Sequence, residues 1–290
     1  MGAADVVPGV SGGTIAFITG IYEQLITSIS RVNLALVRKI IKGEFKEVWQ
    51  QINGGFLLSL LIGIGLSVLT LAQLAHYLLE NYKIFVWSFF FGLVVASILY
   101  IGKQIEKWRL VHIISAVIAI AVAYFITRLT PANGTDNLFY LFLCGSIAIS
   151  AMILPGISGA FILILMGAYS TVTKAISDFD LKTIAVFGLG AIIGLLSFSK
   201  LLKWLFDRHR NLVLAILTGF ITGSLNKVWP WKKILETKII NGKEETIDEI
   251  SVMPWNFEGE AFVLYASLLA IAGFVLILGL EHFSKKYTEY

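Results

Sequence analysis

Charged side chains are scarce in this sequence. They make up 14% of its 290 residues, against roughly a quarter in soluble domains, while hydrophobic residues make up 57%. This composition excludes an ordinary soluble domain and predicts an all-α integral membrane protein, because a helix satisfies its own backbone in lipid. The basic residues are spread over short loops without a dense patch, so the net charge of +4 does not indicate nucleic-acid binding.

The residues that build cofactor sites and active sites are equally rare. A lone Cys144 excludes an intrachain disulfide and a multi-cysteine metal site, and the four histidines stand apart without the spacing of metal ligands. The sequence has no G-x-x-x-x-G-K-[ST] phosphate loop, and it has no Arg-Pro or Ser-Gly-His grouping typical of a lipid phosphatase. We therefore predict a protein that is not an enzyme and needs no metal or cofactor.

What the sequence does contain is a repeat. The stretch VPGVSGGTIAFITGIY (Val7–Tyr22) returns 147 residues later as LPGISGAFILILMGAY (Leu154–Tyr169). Seven positions are identical between these stretches, an eighth follows at Ile29 and Ile176, and most of them are glycine, proline or serine. Each copy interrupts a strongly apolar run. Because non-helical backbone is tolerated at membrane depth only where protein buries it or where it lines a polar cavity, paired interruptions indicate a transporter's binding site.

The chemistry of the two motifs suits an anion. Their glycines can turn amide N–H groups toward one point, a following helix N-terminus adds positive potential, and the hydroxyls add donors. The simpler alternative is that glycine and proline only let helices bend and pack, as is common in membranes. The recurrence favours a substrate site, and its candidate residues are Pro8, Gly9, Ser11, Gly12, Gly13, Thr14, Pro155, Gly156, Ser158 and Gly159.

Apolar runs near the length of a bilayer span fill most of the remaining sequence. The expected spans are 56–79, 84–102, 110–129, 138–154, 183–206, 211–228 and 261–283, with 161–176 leading out of the second motif. Residues 31–53 combine basic side chains with apolar ones at helical spacing, which predicts an amphipathic helix on the membrane surface. Within the polar segment 229–260, Asn241 to Glu249 reads as a loop or hairpin tip. Glycine pairs four residues apart, at 190 and 194 and at 219 and 223, predict close helix contacts.

The distribution of lysine and arginine predicts the orientation. Placing 31–53 in the cytoplasm puts most basic residues there, and the loop 130–137, which has none, falls outside together with 229–260. Three spans then separate the motifs, so we predict a helical bundle of two inverted repeats, 1–137 and 138–290, each with a broken or re-entrant hairpin at its motif. The second motif has an apolar arm before it and the first has none. We expect the natural protein to begin upstream, the alternative being a first repeat without that arm.

Three charged residues lie within or beside the apolar runs around the motifs. Such charges are costly in lipid, so they tend to be functional or paired. Asp5 and Glu23 are candidates for proton coupling or a salt bridge. Lys174 is a third candidate, although it stands close to a span end and can extend its ammonium to the surface.

The motifs PGVSGG and PGISGA, with GIYE (Gly20–Glu23) directly after the first, resemble the bacterial undecaprenyl-phosphate translocase family of the PopT type. The resemblance covers essentially the whole chain. It implies a multi-pass protein of the bacterial cytoplasmic membrane that returns undecaprenyl phosphate, its lipid partner, from the outer to the inner leaflet for envelope synthesis. The residues alone leave a secondary transporter of a small anion open, and a lipid phosphatase as the weaker alternative.

Overall fold

The computed structural model of the chain describes residues 1–2, 11–129, 132, 137–240 and 243–288. This part of the chain is mainly helical. Its helices of at least seven residues are α1 (Gly12–Ile18), α2 (Tyr22–Ser30), α3 (Leu34–Ile41), α4 (Phe45–Gln51), α5 (Gly54–Asn81), α6 (Lys83–Lys103), α7 (Leu110–Arg128), α8 (Leu138–Ile153), α9 (Gly159–Leu165), α10 (Tyr169–Ser177), α11 (Leu181–Ser224) and α12 (Val263–Thr288). Short 3₁₀ helices cover Leu225–Val228 and Pro254–Asn256, and two strands, β1 (Lys232–Ile240) and β2 (Lys243–Ser251), pair with each other.

Several helices have the length and composition of membrane spans. Among the described residues, four segments qualify, namely Gly54–Leu71, Lys83–Lys103, Leu110–Arg128 and Leu181–Val228. The pair α9 and α10 is a further candidate, as a broken span or a re-entrant loop, because the two helices together are apolar enough but are bent by 110° at the residues between them. Large apolar side chains on α5 and α7, such as Leu69 and Phe125, are exposed, as expected for helices that face lipid.

The two motif copies fold into helix pairs of identical size. Helices α1 and α9 each have seven residues, and α2 and α10 each have nine, with every boundary displaced by 147 residues. The turn between the helices of each pair contains a glycine at positive φ, Gly20 at 75° and Gly167 at 66°. This backbone region is accessible to glycine without a Cβ clash, which explains why the glycine recurs. The sequence repeat is therefore also a repeat of local structure.

The chain forms two compact units, each built from two stretches of sequence. The first unit comprises Met1–Ala72 and Asn133–Val213, and the second comprises Gln73–Ala132 and Leu214–Tyr290. Each unit takes one stretch from each half of the chain, and both motif copies fall in the first unit. The division into repeats at residue 137 stays a prediction about the sequence, since the repeats and the compact units divide the chain differently.

Helices approach each other closely at glycine. In the first unit, a Cβ added to Gly190 or Gly194 would overlap the backbone of α8 at Phe142 or Ser146. In the second unit, a Cβ added to Gly219 would overlap α7 at Ala116, and Gly223 lies equally close to the same helix. The predicted contacts of small residues are thus confirmed, and their physical reason is that only glycine lets two backbones approach to this distance.

Three features differ from the sequence expectations. Residues 31–53 form two short helices, α3 and α4, instead of one, because Gly43 between them adopts φ 78° and ends α3. The polar segment 229–260 contains an antiparallel hairpin, in which Lys232 pairs with Ser251 and Ile240 with Lys243. Most of Asn241–Glu249, predicted as a loop or hairpin tip, therefore belongs to β2, and residues 241–242 at the tip lie outside the described residues. The expected break between the spans 183–206 and 211–228 is a kink inside α11, where His209 leaves helical geometry.

Candidate functional site

The hydroxyl of Ser11 links the first motif to the end of α8. Ser11 has extended backbone geometry and begins α1 as its N-cap, with its Oγ accepting a hydrogen bond of 3.1 Å from the Gly13 N–H. The same hydroxyl donates to the carbonyl oxygen of Met152 at 3.2 Å. The Ser11 side chain and its bond with Gly13 are buried, whereas the bond to Met152 is only partly buried.

A second bond joins the two motif copies directly. The Gly156 N–H donates to Oγ1 of Thr14 at 3.0 Å, although the two residues are 142 positions apart in sequence. Gly156 has φ 87°, a geometry that favours glycine. The loop of the second motif and the first turn of α1 are therefore in contact. Several candidate residues that the sequence analysis selected, Ser11, Gly13, Thr14 and Gly156, meet at one place in the first unit.

The motif glycines also have a packing function. A Cβ on Gly13 would lie 2.7 Å from the carbonyl oxygen of Ile153, and one on Gly159 would lie 2.9 Å from that of Ala148. Both distances are too short for real side chains, so the glycines let α1 and α9 lie against α8. Packing, the simpler alternative for these residues, is thus part of what they do, and the question of a substrate rests on the polar groups.

The two serines that correspond in the repeat differ in their bonding. Ser158 is the N-cap of α9 with extended backbone geometry, yet its side chain makes no capping bond and is only partly buried. Ser11 is buried and bonded on both sides. Because α1 and α9 have only seven residues each, the helix N-termini contribute less potential than a long helix would, and hydroxyls and loop amides are the main donors here.

The other predicted site residues fall into three groups. Pro155 and Gly12 are buried beside the contact. Asp5, Pro8 and Gly9 lie outside the described residues. Lys174 is exposed in the last turn of α10.

Glu23 forms an ion pair that the sequence analysis did not identify. Its Oε1 accepts from Nη2 of Arg210 at 2.9 Å and from Nε at 3.1 Å, and both side chains are about half exposed, at 49% and 46%. Arg210 directly follows the kink at His209 in α11. The neighbouring Tyr22 packs its ring against Phe206 of the same helix, at 6.0 Å between centroids. The pair joins the first helix hairpin to α11, and a separation of 187 residues gave no sequence signal for it.

The contact between the motifs offers hydrogen-bond donors. Its bonds join the hydroxyls of Ser11 and Thr14 to backbone groups. Hydroxyls and backbone amides of this kind can bind an anion. Together with the long apolar helices and the bent pair α9 and α10, it defines the class: an α-helical membrane protein in which two copies of a glycine-rich motif meet.

Comparison with known proteins identifies the family within that class. Residues 1–246 match the VCA0040-like family, described as undecaprenyl phosphate translocase-like. A polyprenyl-phosphate transporter of Vibrio cholerae is 43% identical over 99% of this chain and 94% of its own length. A polyprenyl-phosphate transporter of Staphylococcus aureus is 33% identical over 79% of this chain and 83% of its own length. No solved structure matches the chain significantly. The chain belongs to the undecaprenyl phosphate translocase-like family, whose members are named as transporters and not as enzymes.

Proposed function

We propose that this protein transports undecaprenyl phosphate, or a closely related polyprenyl phosphate, from the outer to the inner leaflet of the bacterial cytoplasmic membrane. The observation that carries the proposal is the direct bond between the motif copies, Gly156 to Thr14, in a chain whose relatives are named for polyprenyl-phosphate transport. The lipid's phosphate would bind where the copies meet, and its isoprenoid tail would stay in the hydrocarbon.

The bonds at the contact are of a kind that a phosphate can replace. Ser11, Thr14 and the amide of Gly156 are bonded to neutral partners. Hydrogen bonds to an ionised phosphate are about twice as strong as those between neutral groups, so a phosphate competes for the same donors. Exchange of one set of bonds for the other would separate the motif copies. We infer that this exchange couples substrate binding to movement of the broken helices.

The two repeats supply the second element of the mechanism. If they are inverted, as the charge distribution predicts, each hairpin enters the membrane from a different side and one shared site can open to either face in turn. Alternating access of this kind requires no nucleophile and no cofactor. The half-exposed pair of Glu23 and Arg210 would hold the first hairpin against α11 in one of the two states.

Transport can be tested in vesicles of defined composition. Vesicles containing the full chain should move a fluorescent polyprenyl phosphate between leaflets and should not accumulate inorganic phosphate. Substituting alanine at Gly156, where φ is positive, should slow lipid movement because the loop conformation becomes strained. Uptake of inorganic phosphate without lipid movement would instead indicate a small-anion transporter, and cleavage of the lipid phosphate would indicate an enzyme.

Cysteine labelling tests the orientation on which the direction of transport rests. In a cysteine-free background made with Cys144→Ser, a cysteine at position 133 should react with an impermeant reagent in intact cells, because the loop 130–137 is predicted to face outside. A cysteine at position 42 should react only after permeabilisation. The reverse pattern would show that the predicted orientation is wrong.

A further inference from the structure

A cleft in the second unit lies between the α5–α6 loop and the base of the β hairpin. Its volume is about 610 Å³, within the range of small-molecule sites. Two lysines line it, Lys83 at the start of α6 and Lys232 at the start of β1, together with one carboxylate, Glu80. All of these residues belong to the second unit, whereas both motif copies belong to the first.

Four aromatic residues contribute to the walls of the cleft. Tyr82 stacks on Phe85 with 6.2 Å between ring centroids, and Phe85 meets Phe262 edge to face at 5.3 Å. Phe257 completes this lining. Aromatic and aliphatic walls with a few charged groups match a ligand that has an apolar stem and an ionic head.

Lys232 is held in place by its neighbours. Only 7% of its side chain is exposed, and its ammonium donates to the carbonyl oxygen of Lys227 at 2.8 Å and to Oε1 of Glu249 at 2.6 Å. The ammonium also lies 5.3 Å from the ring centroid of Trp87. Burial lowers the pKa of Lys232, and Glu249 partly offsets that effect. This ammonium is therefore fixed beside the cleft, with Glu249 as its anionic partner.

The charges around the cleft leave a positive excess. Glu249 accepts from Lys232 and lies 3.7 Å from the ammonium of Lys227, so two ammonium groups share one carboxylate. Burial alone would raise the pKa of Glu249, but the charges of Lys232 and Lys227 lower it, so this carboxylate stays ionised. With the lining residues Lys83 and Glu80, the cleft and its immediate surroundings hold three ammonium groups and two carboxylates, of which Lys227 and Glu249 lie behind the lining. A phosphate monoester, which carries about −1.5 to −2 at neutral pH, complements that excess.

We propose that this cleft binds the phosphate head and first isoprene units of a polyprenyl phosphate, as a second site separate from the motif contact. This inference rests on the proposed function and adds a place where the lipid is captured. With the predicted orientation, the α5–α6 loop and the hairpin face outside, so the cleft is on the side from which the lipid would be collected. A volume of this size holds a phosphate with the start of one chain, which favours a single-chain lipid over a two-chain phospholipid.

Photocrosslinking on the full chain in nanodiscs tests the proposal. The probe is a short-chain prenyl phosphate with a diazirine near its head, and the labelled peptides are identified by mass spectrometry. We expect labelling of Tyr82–Phe85 and of Phe257–Phe262. Unlabelled prenyl phosphate should compete, whereas the prenyl alcohol, inorganic phosphate and phosphatidylglycerol should not.

A matched pair of variants tests the role of charge. Lys83→Gln should reduce cleft labelling about ten-fold or more, the effect of one lost charge-assisted contact. Lys233→Gln makes the same change in charge one residue beyond Lys232, at an exposed lysine that pairs with Glu258 and does not line the cleft. Labelling in this control should stay within about two-fold of the wild type. Equal labelling in both variants would overturn the proposal.

The labelling pattern separates this proposal from the proposed function. Labelling at the motif peptides without labelling at the cleft would overturn the second site and leave the transport function standing. No specific labelling at either place would contradict both. If phosphatidylglycerol competed as well as unlabelled prenyl phosphate, the cleft would be a general lipid-binding surface. If inorganic phosphate alone competed, the cleft would be an anion site that does not recognise the isoprenoid chain. Either result would overturn the proposal as stated.

Discussion

The unequal bonding of Ser11 and Ser158 allows structure and function to be separated experimentally. Ser11→Ala removes the acceptor of the buried Gly13 N–H and the donor to the carbonyl of Met152, a partly buried bond. Loss of such a cap costs about 0.5 to 2 kcal/mol, and an unsatisfied buried group costs about 1 to 3 kcal/mol. We expect Ser11→Ala to lower the free energy of unfolding by about 1 to 3 kcal/mol.

Ser158→Ala should behave differently. Its hydroxyl makes no capping bond and is only partly buried, so the change in unfolding free energy should stay within about 0.5 kcal/mol. If Ser158 donates to the substrate's phosphate, the same substitution should still weaken lipid binding by about 0.5 to 1.5 kcal/mol, which is about two- to thirteen-fold in Kd. A direct bond to the charged phosphate would raise the loss to about 1.5 to 3 kcal/mol.

Two measurements on each variant give the result. Chemical unfolding in detergent reports stability, and titration with polyprenyl phosphate reports binding. The double variant adds a third test, because one shared phosphate predicts that the two effects on binding are coupled. Normal binding and transport by Ser158→Ala would remove Ser158 from the site. Strictly additive binding losses would contradict a single phosphate shared by both motif copies.

Three further predictions concern the rest of the molecule. Glu23→Gln should lower the free energy of unfolding by less than about 1 kcal/mol, because its pair with Arg210 is half exposed. The same substitution should flatten the pH dependence of transport, and an unchanged pH profile would show that the pair has only a structural role. Gly190→Val should prevent close packing of α11 on α8 and so lower expression and the melting temperature. The control Gly188→Val should not, because a Cβ at Gly188 meets nothing within 4 Å. Equal effects of the two substitutions would refute the packing argument. Glu249→Gln should destabilise the hairpin by about 3 kcal/mol, measured by hydrogen exchange, and unchanged exchange would show that the buried lysine does not need its partner.

Local sequence signals predicted much of the fold. The apolar runs located the long helices because the length of a span follows from the thickness of the bilayer. The repeat predicted two equivalent local structures, and α1 and α9 begin and end at equivalent residues. Glycine spacing predicted the helix contacts, since a missing Cβ is the physical requirement for close approach. The residues of the candidate site could be selected from the sequence because most of them are glycine, proline or serine, and the backbone properties of these residue types are known without any knowledge of their neighbours.

Other features depended on partners far away in the chain. Arg210 meets Glu23 only after α11 packs beside the first hairpin, and the donor to Thr14 is a backbone amide, a group that every residue other than proline carries. In 229–260 a loop or hairpin tip was predicted at Asn241 to Glu249, but the two strands were not, because their polar residues resemble a loop until the strands pair. The cleft likewise exists only where the α5–α6 loop, the hairpin and the start of α12 come together. The sequence by itself determined a helical membrane protein with a duplicated polar motif, because composition and periodicity act locally. Only the tertiary structure decided which donors meet and which charges pair, because those contacts depend on how distant segments pack.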